Sequence, residues 1–140
     1  MTIHEPKTVL IVDDEPHMRN ANTTVVAALG HHAVSAANGK QAIDAILSGL
    51  EPALIILDIV MPEMDGFEFL ERIRGELGLV SVPVIMLTAQ SSQQDQLKAL
   101  GGGADFYLTK PFDYDKLANL MEYLIGDLPP DEKALLARKI

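Results

Sequence analysis

Short apolar runs alternating with longer amphipathic segments predict an α/β fold: three layers, with a five-stranded parallel, doubly wound sheet and five flanking helices. Two observations carry that expectation. The runs, of which Ala53-Leu54-Ile55-Ile56-Leu57 is the clearest, lack polar alternation and are rich in β-branched and leucine residues, as strands buried on both faces must be. The segments between them are long enough for the crossover helices that parallel pairing requires. At 140 residues, 48% hydrophobic but only 5% aromatic, the chain makes one domain with a mainly aliphatic core.

The first strand, Val9–Val12, ends at Asp13-Asp14-Glu15-Pro16. Proline suits a first helical turn, and acids suit the positive end of a helix. Met18, Val25, Val26 and Leu29 form the inward stripe of that helix, and Gly30 stops it. Asn22 falls within the stripe and is expected to be hydrogen-bonded in place, while His31-His32 reads as an exposed turn. Ala33–Ala36 is a weak second strand and Asn38-Gly39 a turn. Ala42, Ile43, Ile46 and Leu47 face inward from the second helix.

The third strand ends at Asp58. Asp65-Gly66 is a turn, and the helix after it sends Phe67, Leu70 and Ile73 inward, with Glu68, Glu71 and Arg72 outward. Val82–Leu87 is the fourth strand, where Pro83 is tolerable near the start. The helix from about Ser92 to Leu100 has Leu97 and Leu100 as its only large apolar residues, so weak anchoring is expected. Phe106–Leu108 is the short fifth strand, and the last helix of the set carries Leu117, Leu120, Met121 and Leu124. Residues 1–126 thus form the domain. Residues 127–140 are a C-terminal tail with a helix-like end, open to two readings: a docked segment or a helical linker into an output domain.

Net charge of −9 argues against nucleic-acid binding by this domain, because neutralising phosphates needs a basic face. The absence of cysteine removes disulfides, thiolate metal sites and cysteine nucleophiles. With no signal-like N-terminus and no apolar stretch of membrane-spanning length, the expectation is a cytoplasmic chain without a membrane partner.

In an open parallel sheet, ligands bind beyond the carboxyl ends of the strands. Here strand one delivers Asp13 and Asp14, strand three Asp58, strand four Thr88 and strand five Lys110. Converging carboxylates repel unless a cation intervenes, and an oxygen-only set points to magnesium. One carboxylate can then act as a nucleophile toward phosphorus, while an ammonium and a hydroxyl bind the phosphoryl oxygens.

These motifs in this order resemble the receiver domain of two-component response regulators (CheY-like). They are Asp13-Asp14, Asp58 followed by Met61-Pro62 and Asp65-Gly66, Thr88-Ala89, and Lys110-Pro111-Phe112. The match runs from about Lys7 to Gly126. It implies strand order 2-1-3-4-5, the flavodoxin-like arrangement, and a phosphorylation-dependent switch rather than an enzyme acting on other molecules. On this resemblance Asp58 is the phosphoacceptor. Asp13, Asp14, Asp58 and the backbone carbonyl of Val60 hold Mg2+, and Lys110 pairs with Asp58 and then with the phosphoryl group. Thr88 and Tyr107 are the switch pair, and the small Ala89 leaves the phosphoryl pocket open. Val60 and Gln90 flank the path of attacking water, where an apolar Val60 implies slow self-dephosphorylation. The Lys110-Pro111 bond is a cis candidate.

The implied donor is a sensor histidine kinase or a histidine phosphotransfer protein. The implied target is a downstream protein or an output domain outside this chain, reached through the surface of the fourth helix, fifth strand and fifth helix. That fifth helix lacks the arginine expected for the dimer contacts of the DNA-binding subfamily. A haloacid-dehalogenase-type phosphatase would need an acid two residues after its nucleophile, where Val60 stands. A flavodoxin-like cofactor binder would need a phosphate-cradling loop, and no G-x-G-x-x-G or P-loop pattern is present. His17, near the acids, carries at most a docking role.

Overall fold

The computed structural model describes residues 5–89 and 92–140. Its order is β1 (Thr8–Val12), α1 (Pro16–Ala28), β2 (His32–Ala36), α2 (Gly39–Leu47), β3 (Leu54–Leu57), α3 (Gly66–Arg74), β4 (Val84–Thr88), α4 (Gln93–Gly101), β5 (Phe106–Thr109), α5 (Tyr114–Ile125) and α6 (Pro130–Ala137). All pairings are parallel and the strand order is β2-β1-β3-β4-β5, as expected. Beyond the five helices that flank the sheet, the helix-like end of the tail forms α6, which packs on α5.

Period-two alternation splits the strands between two cores. Leu10, Val12, Ile55, Leu57, Val84 and Met86 point to one side, against Ala42 and Ile43 of α2, Phe69, Leu70 and Ile73 of α3, and Ala99 of α4. Val9, Ile11, Leu54, Ile56, Ile85 and Leu87 point to the other, against Val26 of α1 and Leu117, Leu120 and Met121 of α5. Three layers follow. Central strands flanked this way have no wet face, which is why they read as continuous apolar runs.

Several local expectations need correction. Phe69, not Phe67, fills the α3 core position, and Phe67 is half-buried. The buried positions Gly66, Phe69, Leu70 and Ile73 form the i, i+3, i+4, i+7 stripe, set by the close seating of Gly66. On α4 the buried residue is Ala99, whereas Leu97 and Leu100 are 63% and 48% exposed. A small side chain lets a helix lie close to its sheet, so the two leucines flank the contact. Leu47, expected inward, lies exposed at the end of α2. Asn38 is the N-cap of α2, its Oδ1 accepting from Gln41 N at 2.8 Å, rather than part of a free turn.

His31 is buried, its Nδ1 accepting the Lys7 N–H at 3.0 Å, and His32 begins β2, so the pair is not an exposed turn. Asn22 is buried at 1% exposure, with no hydrogen-bond partner for either amide atom among the described residues. Far from the strand carboxyl ends, Arg74 ties three elements together. Its guanidinium donates to the carbonyls of Leu79, Val82 and Gly103 at 2.8, 2.5 and 2.6 Å.

Candidate functional site

The carboxyl edge of the sheet gathers the residues that the strand endings delivered. Asp13 follows β1 and its N–H donates to Ala36 O at 3.1 Å, extending the ladder by one residue. Asp58 follows β3 in the same way, donating to Val12 O at 3.0 Å. Strand pairing therefore fixes both backbones side by side. Carboxylate oxygens of Asp13, Asp14 and Asp58 lie within 4.8 Å of one another, with Asp13 and Asp58 buried and Asp14 exposed. This donor set, all oxygen and open on one side, fits a hard divalent cation such as magnesium.

Lys110 supplies the fixed positive charge. Its Nζ stands 3.3 Å from Asp58 Oδ2 and 3.6 Å from Asp13 Oδ2. The backbone holds it there, Lys110 N donating to Thr88 O at 2.7 Å. The Lys110-Pro111 peptide is cis, as expected. Thr88 ends β4 fully buried, and Ala89 after it is exposed. Val60, 55% exposed, flanks the site, and its N–H donates to Asp58 Oδ1 at 3.3 Å. Tyr107 is half-buried against the α2–α3–α4 core. Burial raises its phenol pKa, and the nearby Asp95 and Asp58 charges add to the effect. Gln90 lies outside the described residues.

Burial also pushes the Asp13 carboxyl pKa up. The Glu15 N–H, which donates to Oδ1 at 2.9 Å, and the Lys110 charge oppose that rise, while Asp58 and Asp14 reinforce it. A carboxyl whose folded pKa exceeds its unfolded value binds its proton more tightly when folded. Above the folded value it therefore costs stability, and that cost fades as pH falls toward the unfolded value. Asp13→Asn is accordingly expected to stabilise the protein in chelator at neutral pH by on the order of 1 kcal/mol, because a buried charge is removed. Thermal unfolding of the two proteins checks it.

Two further residues at this edge, Glu15 and Arg19, hold the backbone around the acids. Glu15 is the N-cap of α1, accepting from His17 N at 3.1 Å and Met18 N at 2.8 Å, bonds that hold its own pKa low. Arg19 donates through Nη1 to Asp13 O at 2.8 Å. A signal for Arg19 was available: a cation near the start of a helix opposes the helix dipole and asks for another reason to be there. Gly66, read as part of a turn, opens α3 against the site backbone. Its N–H donates to Ile59 O at 2.8 Å, and a Cβ there would stand 2.5 Å from Asp58 O.

The family model for the response regulator receiver domain matches residues 9–122. Response regulator Rre1 of Synechocystis sp. is 38% identical over 123 residues, covering 87% of this chain and 53% of that protein. The phosphate regulon transcriptional regulatory protein PhoB of Pseudomonas aeruginosa is 36% identical over 129 residues, covering 91% of this chain and 56% of that one. The chain thus spans about half the length of these curated relatives. Among solved structures, the chemotaxis protein CheY4 of Vibrio cholerae superposes with a TM-score of 0.78 at 29% identity, covering 86% of this chain and 99% of that one. With the fold, the strand-end residues and these matches agreeing, the chain belongs to the response regulator receiver domains, the phosphorylation-dependent switches of two-component signalling.

Proposed function

We propose that Asp58 is the residue phosphorylated in this switch. The observation that carries the reading is the pairing of Lys110 Nζ, 3.3 Å from Asp58, with an acid cluster whose oxygens lie within 4.8 Å. One Asp58 oxygen attacks phosphorus, the bond to the donor's leaving atom breaks with its electron pair, and an acyl phosphate forms on Asp58. The donor is a phosphohistidine of a sensor kinase or phosphotransfer protein, met in the cytoplasm. Asp13, Asp14, Asp58 and the Val60 carbonyl would hold Mg2+, which when bound supplies positive charge to the phosphoryl oxygens.

Lys110 neutralises a further phosphoryl oxygen, and the Thr88 hydroxyl donates to another once the group is in place. Ala89 leaves room for it. Inward rotation of Tyr107 then couples the site to α4, β5 and α5, shifting an equilibrium between two surfaces. The exposed α4 leucines fit a surface that exchanges partners. Val60 cannot orient a water, so the mark is long-lived, with Gln90 the remaining polar candidate. Residues 1–126 act as the receiver unit, with 127–140 a tail carrying α6. A net charge of −9 supports a protein target rather than nucleic acid for this domain.

Incubation with Mg2+ and acetyl phosphate, read by intact mass, tests the reading. Wild type is expected to gain one phosphoryl group and Asp58→Asn none; equal gain by both would contradict it.

A further inference from the structure

We infer that Arg19 is a positioning residue for the metal-binding acids, setting Mg2+ affinity by clamping the peptide between Asp13 and Asp14. This rests on the reading of those acids as the Mg2+ ligands.

The Asp13 N–H goes to Ala36 O at 3.1 Å, Oδ1 takes the Glu15 N–H at 2.9 Å, and Oδ2 faces Lys110 Nζ at 3.6 Å. Its carbonyl takes Arg19 Nη1 at 2.8 Å, a half-buried bond reaching back from α1 to the end of β1. That carbonyl lies in the Asp13–Asp14 peptide plane, so fixing its direction fixes the plane from which Asp14 leaves the backbone. Asp14 is exposed, and its aim depends on the backbone on either side. Asp13, buried and held through every polar group, does not need Arg19 in the same way.

Charge and geometry predict opposite signs here. A guanidinium bonded to the Asp13 carbonyl brings positive charge toward the acid cluster and repels an incoming cation, so losing it would tighten Mg2+ binding if charge alone mattered. If Arg19 acts by orienting the Asp13–Asp14 peptide, losing it weakens binding, as removal of partners behind metal ligands does. Lysine keeps the charge but not the planar fork, so it separates the two effects further.

The experiment is Mg2+ titration by calorimetry of wild type, Arg19→Met, Arg19→Lys and Asp14→Asn, with thermal unfolding of each in chelator. Arg19→Met is expected to weaken Mg2+ binding about tenfold and Arg19→Lys to weaken it measurably, with both unfolding close to wild type in chelator. Phosphoryl gain from acetyl phosphate by Arg19→Met should be slow at low Mg2+ and recover at saturating Mg2+. Equal or tighter Mg2+ binding by Arg19→Met overturns the inference, as does wild-type affinity in Arg19→Lys. A loss of affinity matched by collapse of the chelator unfolding temperature also overturns it, reducing Arg19 to a staple of the fold. Wild-type affinity in Asp14→Asn is a different failure: the assignment of the acids themselves then falls.

Discussion

Lys110→Ala is expected to gain a phosphoryl group from acetyl phosphate about a hundredfold more slowly than wild type, while binding Mg2+ more tightly. Both effects come from one position. Lys110 Nζ lies 3.3 Å from Asp58 and 3.6 Å from Asp13, so before phosphorylation it shares the carboxylates with any divalent cation. Removing it leaves three acids with less compensation and a stronger pull on Mg2+. The same removal takes away a positive charge aimed at the place where the transferring group must sit. Labelling kinetics at saturating Mg2+, set beside Mg2+ titrations, separate the two. A variant that binds metal better and reacts worse points to a direct contact between Lys110 and the phosphoryl group.

Gly66→Ala should destabilise the protein by about 1–3 kcal/mol, the usual cost of overpacking, and slow labelling of Asp58. An added Cβ would stand 2.5 Å from Asp58 O and 2.8 Å from Ile59 Cα. Both atoms are backbone and neither can rotate away. Either α3 withdraws, uncoupling Phe69, Leu70 and Ile73 from the sheet, or the Asp58–Ile59 segment shifts and carries the Asp58 carboxylate with it. Urea unfolding measures the first effect and phosphorylation rate the second. Gly39→Ala offers a contrast at another helix start. There the nearest atom is Met64 Sδ at 2.8 Å, the end of a flexible side chain, and the effect should be smaller.

Strands buried on both faces were legible in the sequence. The five strands, their parallel pairing and the polar residues at their ends follow from continuous apolar runs alternating with amphipathic segments, and from the rule that such sheets bind at their carboxyl edge. Within that frame the positions of Asp13, Asp14, Asp58, Thr88 and Lys110 needed no structure. What escaped was decided by close approach between elements. Phe69 rather than Phe67 lies on the buried stripe that Gly66 opens where α3 seats against the Asp58–Ile59 backbone, a contact that periodicity alone cannot show. Ala99 anchors α4 because a small residue permits contact, while a hydrophobicity pattern favours the exposed Leu97 and Leu100.

Polar side chains with remote partners were the other blind spot. His31 meets the Lys7 backbone 24 residues away, and Arg74 joins the Gly103 carbonyl 29 residues on. Arg19 carried a hint in its uncomfortable place near a helix start. Asn22 carried none, and among the described residues its buried amide has no hydrogen-bond partner.

The central claim is that the signal is stored as an acyl phosphate on Asp58, and reductive trapping addresses it most directly. Borohydride cleaves an acyl phosphate and reduces the acyl carbon to an alcohol, turning a phosphorylated aspartate into homoserine. After treatment with Mg2+ and acetyl phosphate, then borohydride, tandem mass spectrometry should find homoserine at position 58, and the conversion should disappear when Mg2+ is chelated. Homoserine at Asp13 or Asp14 instead, or none in a protein that has gained a phosphoryl group, would contradict the account.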